Sequence, residues 1–172
     1  MIEKIKIVIV DKDDNIIGHK YRDDLIPKKD IYRVTALWIT NSKGEVLCAQ
    51  RSFNKEHNPG KWGPAVSGTV EEGETREENV YKEAEEELGI KDIKFEIGPK
   101  YSTLERPNTK HFRFTQWFLA KIDRKAEDFK VQKEEVEQVK WFSKKEILRI
   151  AKEDSRFFSS GIKYWIKLFL NK

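Results

Sequence analysis

Cysteine is almost missing from this chain of 172 residues: Cys48 stands alone, so no intramolecular disulfide can form, and a reducing compartment, the cytoplasm by default, is expected. Histidine is scarce too. His19, His57 and His111 are not spaced from one another like a local metal-ligand pair, which argues against a histidine-rich zinc site. The longest mostly apolar runs, such as Ile5 to Val10 and Thr35 to Ile39, fall far short of the roughly 20 residues a membrane helix needs. A soluble protein with no membrane partner is the expectation. The amino-terminal apolar stretch runs directly into Asp11-Lys-Asp-Asp14 without a small-residue cleavage pattern, so it reads as a strand rather than a signal peptide. With 9 Gly and 5 Pro there is no low-complexity tract or linker. The sequence pI of about 9.0 invites a nucleic-acid reading. No basic stripe interleaved with aromatics supports it, so nucleic acid is not an expected partner.

What is present suffices for a core. Hydrophobic residues make up 38% and charged residues 37% of the chain, with 5 Trp, 5 Tyr and 10 Phe, which excludes wholesale disorder. The length fits one compact domain over residues 1–172. Oligomeric state is not readable, and a homodimer is compatible with everything in the sequence. The charge is unevenly distributed. Residues 71 to 87 hold nine Glu against Arg76 and Lys82, a local net of −7, so the other 155 residues carry +11 of a total of +4. Such a run is either a solvated helix face or a site that gathers divalent cations, and spacing has to decide between them.

Period-two alternation and β-branched content predict a strand over Lys4 to Val10, a turn at Asp11 to Asn15, and a second short strand around Ile16 to Arg22. The Asp-rich turn begins like an EF-hand loop, but Ile16 occupies the position of the obligatory Gly and Arg22 that of the final Glu, so calcium is not expected there. Arg33 to Thr40 and Val46 to Arg51 read as a hairpin, followed by a polar loop from Ser52 to Gly63 with a turn at Asn58-Pro-Gly60. Thr75 to Leu88 has helical periodicity in Val80, Ala84 and Leu88, a Thr75/Glu78 capping box, and Gly89 as a left-handed C-cap. Further strands are expected near Ile93 to Ile97, His111 to Ile122 and Val136 to Phe142. A second capping box, Ser143/Glu146, opens a helix to about Glu153, and an amphipathic helix over Ile162 to Leu170 closes the chain. This order predicts an α/β (α+β) fold, a mixed β-sheet with flanking helices.

The acidic helix carries the chemistry. At about 100° per residue, Glu83 and Glu87 fall beside the buried stripe rather than opposite it, and Glu86 lies on the same flank. Like charges at i and i+4 repel, so a cation should offset them, and clustered carboxylate oxygens suit a hard one such as Mg²⁺. Residues 68 to 90 resemble the Nudix box, G-x5-E-x7-R-E-U-x-E-E-x-G-U, with Gly68, Glu74, Glu83, Ala84, Glu86, Glu87, Gly89 and Ile90 in register. Lys82 stands where the box has Arg.

The resemblance implies a Nudix-type α/β/α sandwich and a pyrophosphohydrolase using Mg²⁺, with Mn²⁺ as an alternative. Its substrate would be a small molecule, a nucleoside diphosphate linked to another moiety or a related organic diphosphate. It implies that Glu83, Glu86, Glu87 and the main-chain carbonyl of Ser67 are metal ligands, with Glu83 and Glu86 as catalytic carboxylates, and that Glu74 and Lys82 brace the loop. The general base lies in the box or in residues 134–137, where Glu135 is the candidate with Glu134 and Glu137 beside it. Arg51 and Lys55 are candidates to hold the outer phosphate. Trp62, Tyr101, Phe112 and Trp117 are either core or a stacking platform. Two alternatives share the fold. The chain is similar to type I isopentenyl diphosphate isomerases in its Asp11 to Gly18 opening and in Arg51-Ser-Phe-Asn-Lys55. Yet it has Ser67-Gly68-Thr69 in place of their Cys-Gly-His, and Phe112 to Trp117 lacks their paired Glu. The other is a non-catalytic nucleotide-binding Nudix module.

Overall fold

The computed structural model describes residues 4–91, 93–106 and 108–171. Strands β1 (Lys6–Val10) and β2 (Ile16–Tyr21) form an antiparallel hairpin. The turn between them is organised by Asp11, whose carboxylate accepts the backbone N–H groups of Asp13 at 2.8 Å and Asn15 at 2.9 Å. Strand β3 (Ile31–Thr40) is the hub of the sheet. It pairs antiparallel with β1, β4 (Val46–Arg51) and β6 (Val66–Thr69), and runs parallel to β8 (Phe112–Lys121) from Ile31↔Phe112 to Thr40↔Lys121. Strand β4 continues the sheet to β5 (Trp62–Pro64) and β9 (Val136–Phe142), and β8 to β7 (Glu96–Ser102). Antiparallel and parallel pairings together make the sheet mixed.

Helices cover both faces, which is why β3 is apolar on both. On one face Leu37, Ile39 and Leu47 pack against Val80, Ala84 and Leu88 of α1 (Arg76–Leu88). On the other, Ala36, Trp38 and Cys48 pack against Ile147 of α2 (Lys144–Glu153) and Ile162 and Trp165 of α3 (Ile162–Trp165). The expected α/β/α layering is therefore present.

The expected and observed elements differ in several places, first at β6 (Val66–Thr69), a strand paired to β3 where no strand is expected. The strand expected near Ile93 to Ile97 begins at Glu96 and runs to Ser102, because Ile93 is buried in the α1 core instead. A register shift between Ile97 and Lys100 accommodates Pro99, which cannot donate to a ladder. The polar loop ends in a short strand, β5, since Trp62 is buried against Phe142 and Phe157. The closing helix keeps α geometry only to Trp165. Residues Ile166–Leu170 form a wider π turn, with Asn171 N–H donating to Ile166 O at 2.9 Å, and Phe169 stacks on Trp38 with centroids 4.5 Å apart.

Asp14 ties the β1–β2 hairpin to the rest of the molecule. Its buried carboxylate accepts from Arg33 Nε at 2.9 Å, from Lys100 Nζ at 2.9 Å and from Arg76 at the start of α1. Burial opposes its ionisation, but the hydrogen bonds from Lys100 and Arg33 and the charge of Arg76 outweigh it and hold the carboxyl below the ordinary Asp range. Asp14→Asn should leave three cations around a neutral amide and destabilise the fold by about 3 kcal/mol in urea melts near pH 7. A group with a depressed folded-state pKa contributes above its unfolded value of about 3.9 and loses that contribution as pH falls through the folded value, so the deficit should shrink as the pH is taken down into the acid range.

Candidate active site

The acidic helix is placed by its two ends. Thr75 Oγ1 accepts the Glu78 N–H at 3.1 Å while the Glu78 carboxylate accepts the Thr75 N–H at 2.8 Å, and Gly89 closes the helix at φ 63°. The last carbonyls are not left to water. Lys130 N–H donates to Leu88 O at 3.2 Å and Gln132 N–H to Glu87 O at 3.1 Å. That pairing carries the 130–135 segment past the helix end and brings Glu135 to the site.

The loop ahead of α1 is held by charge and by a buried amide. Lys82 Nζ lies 2.5 Å from Glu74 Oε1 and 2.9 Å from Glu71 Oε2. Burial opposes ionisation of Glu74, but Lys82, the Glu71 N–H and Asn79 outweigh it and hold the carboxyl below its ordinary range. The compact ammonium thus reaches two carboxylates from the box Arg position, a geometry open to a point charge without a planar fork. Sequence reasoning missed Asn79. Fully buried, it donates to Glu74 Oε2 at 2.9 Å and to Thr69 O at 3.0 Å and accepts from Thr35 Oγ1 at 2.5 Å, joining loop, β6 and β3. Its position one turn before Glu83, on the row Asn79–Glu83–Glu87 that flanks the apolar stripe of α1, was the available signal.

Glu83 lies directly over β6: a Cβ added at Gly68 would overlap its carboxylate stem. This close approach gives the box glycine a physical reason. Burial, reinforced by Glu86, Glu71 and Glu74 and only partly opposed by Lys82, pushes Glu83 up to about 7. Glu87, one turn on, accepts the Ser67 N–H at 3.4 Å, and burial together with the charges of Glu83 and Glu135 pushes it up to about 8. Neither carboxylate is ion-paired among the described residues. Glu86 is exposed to solvent. Among the described residues no three His, Cys, Asp or Glu groups already converge as a closed metal shell. The donor chemistry nevertheless fits a hard divalent cation: oxygen ligands throughout, two of them half-buried and without an ion-pair partner among the described residues.

A cleft open to solvent begins at Ser67, Glu87 and Glu135 and extends over β3, β8 and β7 to the segment before α3. Arg51 lines it, with its Nε donating to His57 O at 2.9 Å. Lys55 is paired to Glu135 at 2.7 Å, so the outside base candidate and a phosphate-binding candidate hold each other. Tyr101 and Trp117 line the cleft, Trp117 from within the core, whereas Trp62 is a core residue and Phe112 is not among the lining. Arg106 and Arg113, which sequence reasoning did not single out, also line it. Cys48 is buried in β4, and burial pushes its thiol up to about 12, so it offers no acid/base sulfur.

A match to the NUDIX domain model spans residues 30–160. An uncharacterized Nudix hydrolase of Yersinia pestis is 28% identical over 92% of this chain and 84% of its own. Isopentenyl-diphosphate Delta-isomerase 2 of Photorhabdus laumondii is 26% identical over 78% of this chain and 75% of its own. Among solved structures, a Deinococcus radiodurans protein superposes with a TM-score of 0.80 at 20% identity, covering 95% of this chain and 99% of that one, a likeness of fold. The chain belongs to the Nudix family and is a hydrolase of that class. No helix among the described residues is long and apolar enough to cross a membrane.

A raised folded-state pKa contributes stability below the unfolded value and loses it as pH rises through the folded one. Metal-free protein should therefore weaken between about pH 4.5 and 8. Glu87→Gln should remove much of that slope, stabilising the EDTA-treated protein by about 2 kcal/mol at pH 8 and changing little at pH 4, about half of what roughly 1.4 kcal/mol per pKa unit gives over that range, because the half-buried group is partly solvated. Thermal and urea melts across that range read the difference.

Proposed function

We propose that this chain is a divalent-metal-dependent pyrophosphohydrolase that cleaves the diphosphate linkage of a nucleoside diphosphate joined to another moiety, or of a related organic diphosphate, acting as one domain in the cytoplasm. The observation that carries the reading is the pair of half-buried carboxylates, Glu83 and Glu87, ion-paired to nothing among the described residues, with Glu87 at the end of an arginine-lined cleft. Glu83, Glu86, Glu87 and the Ser67 carbonyl would hold Mg²⁺, or Mn²⁺ in its place. When bound, the cation supplies neutralising charge at the phosphate oxygens and lowers the pKa of water.

The protein groups divide the remaining work. Arg51 binds and orients the outer phosphate, and Lys55, paired to Glu135, adds positive charge beside it. The Glu74, Lys82 and Asn79 brace keeps the Gly68 strand against Glu83, so the carboxylates stay where charge develops. Water attacks phosphorus as the bridging P–O bond breaks. The water proton passes to a carboxylate, either Glu83 or Glu86 within the box or Glu135 opposite, and the leaving phosphate takes the bond's electron pair. Isomerisation of an allylic diphosphate is disfavoured, because Ser67 and Thr69 replace the thiol and imidazole that it needs and Cys48 is sealed in the core.

Phosphate and pyrophosphate release from a diphosphate panel, isopentenyl diphosphate included, should require Mg²⁺ or Mn²⁺ and stop in EDTA. Glu83→Gln and Glu86→Gln should each lower kcat by 10²-fold or more with circular dichroism unchanged, while Ser67→Ala, which keeps the carbonyl, should do little. Full turnover in both Glu variants contradicts the assignment; ligand binding without turnover in Mg²⁺ indicates a non-catalytic module.

A further inference from the structure

The end of the cleft remote from Glu87 is built from the close of β7, the start of β8 and the segment entering α3. Thr103, at the β7 end, ties the strands together: its Oγ1 accepts the Arg113 N–H at 2.9 Å, and its N–H donates to Arg113 O at 3.0 Å. Arg113, Thr115 and Trp117 alternate along β8 and share the face that lines the cleft. Arg106 comes from the β7–β8 loop, its guanidinium 4.0 Å from the Tyr164 ring centroid and donating to Ser160 O at 3.0 Å. Tyr164 in turn packs on Tyr101 with centroids 4.5 Å apart. Arg106, Arg113, Tyr101 and Tyr164 all line this end of the cleft, and both cations act electrostatically on the Tyr101 phenol. Among the described residues neither is ion-paired to a carboxylate.

Two cations lining one cleft wall, Arg106 held by a carbonyl and a ring that leave its charge uncompensated and Arg113 placed by its backbone tie to Thr103, are set for an anion. The field around them is positive: burial, His57, Arg113 and Lys110 together depress the His111 imidazole. Arg51 lies at the Glu87 end, where it bears on that carboxylate. The diphosphate assigned to that end therefore leaves Arg106 and Arg113 with no ligand group.

We propose that Arg106 and Arg113, with Tyr101 and Tyr164, form a second anion subsite, and that the substrate is a diphosphate whose far moiety carries a further anionic group, a phosphomonoester or a carboxylate. The inference rests on the hydrolase reading for the diphosphate end; the subsite itself needs no metal. A site built for an anion rejects the analogue lacking it, because its cations then stay unpaired.

The test is calorimetric titration of the intact protein in EDTA with matched pairs: NADPH against NADH, coenzyme A against its dephospho form, and UDP-glucuronate against UDP-glucose. At least one anionic member should bind 10-fold tighter or more than its partner; the first two pairs report a phosphomonoester, the third a carboxylate. Arg113→Gln, and independently Arg106→Gln on the loop, should abolish the preference while leaving the weaker member's affinity within twofold. Equal binding within every pair, no binding by any anionic member, or equal loss for both members in both variants would overturn the subsite. Turnover of the same compounds in Mg²⁺ is read separately. Discrimination in EDTA without turnover keeps the subsite and sinks the hydrolase reading.

Discussion

Two half-buried carboxylates one helical turn apart, packed against a strand and ion-paired to no cation among the described residues, are the constraint around which this molecule is arranged. At neutral pH Glu83 and Glu87 face a choice between holding protons and holding a metal, because burial and mutual repulsion make the bare charges costly. Everything near them keeps them in that position. Gly68 lets Glu83 lie against β6, and the Ser67 N–H meets Glu87. The nearest ammonium, Lys82, is already committed to Glu71 and Glu74.

The sheet supplies the reach. Because β3 pairs with β6 on one side and runs parallel to β8 on the other, the carboxylate end and the arginine end belong to one continuous cleft floor. The helix end binds the 130–132 backbone and thereby sets Glu135 opposite Glu87. A buried polar chain from Thr35 through Asn79 to Glu74 links the hub strand to the box loop, so loop position and core packing are mechanically joined.

Much of this was legible before any coordinates, and for local reasons. Capping boxes at Thr75 and Ser143, the Gly89 cap and the strand periodicities are short-range signals, and they place α1, α2 and most strands. The carboxylate register is also local, since helical spacing alone puts Glu83 and Glu87 beside the buried stripe. What the sequence hid depends on distant partners. Arg113 reads as an ordinary strand charge until β7 and the α3 segment fold over it. Asn79 looks like one more polar residue on the row of Glu83 and Glu87 until Glu74, Thr69 and Thr35 surround it. Tyr81 sits near that stripe in projection, yet it is exposed at 46% and covers Phe95 from outside. The π turn at Ile166–Leu170 follows from fitting Phe169 between Trp38 and Trp117, a demand no helical periodicity expresses.

Proton release on metal binding tests the central claim most directly. Carboxylates held at about 7 and about 8 are substantially protonated at pH 7, and a bound cation requires them ionised. Titrating Mg²⁺ or Mn²⁺ into weakly buffered protein at pH 7 should liberate roughly one proton per ion bound. The release should fall in Glu83→Gln and Glu87→Gln, and fade as the starting pH is raised to 9. Saturable metal binding with no proton release at pH 7, or release unchanged in both variants, would contradict the account.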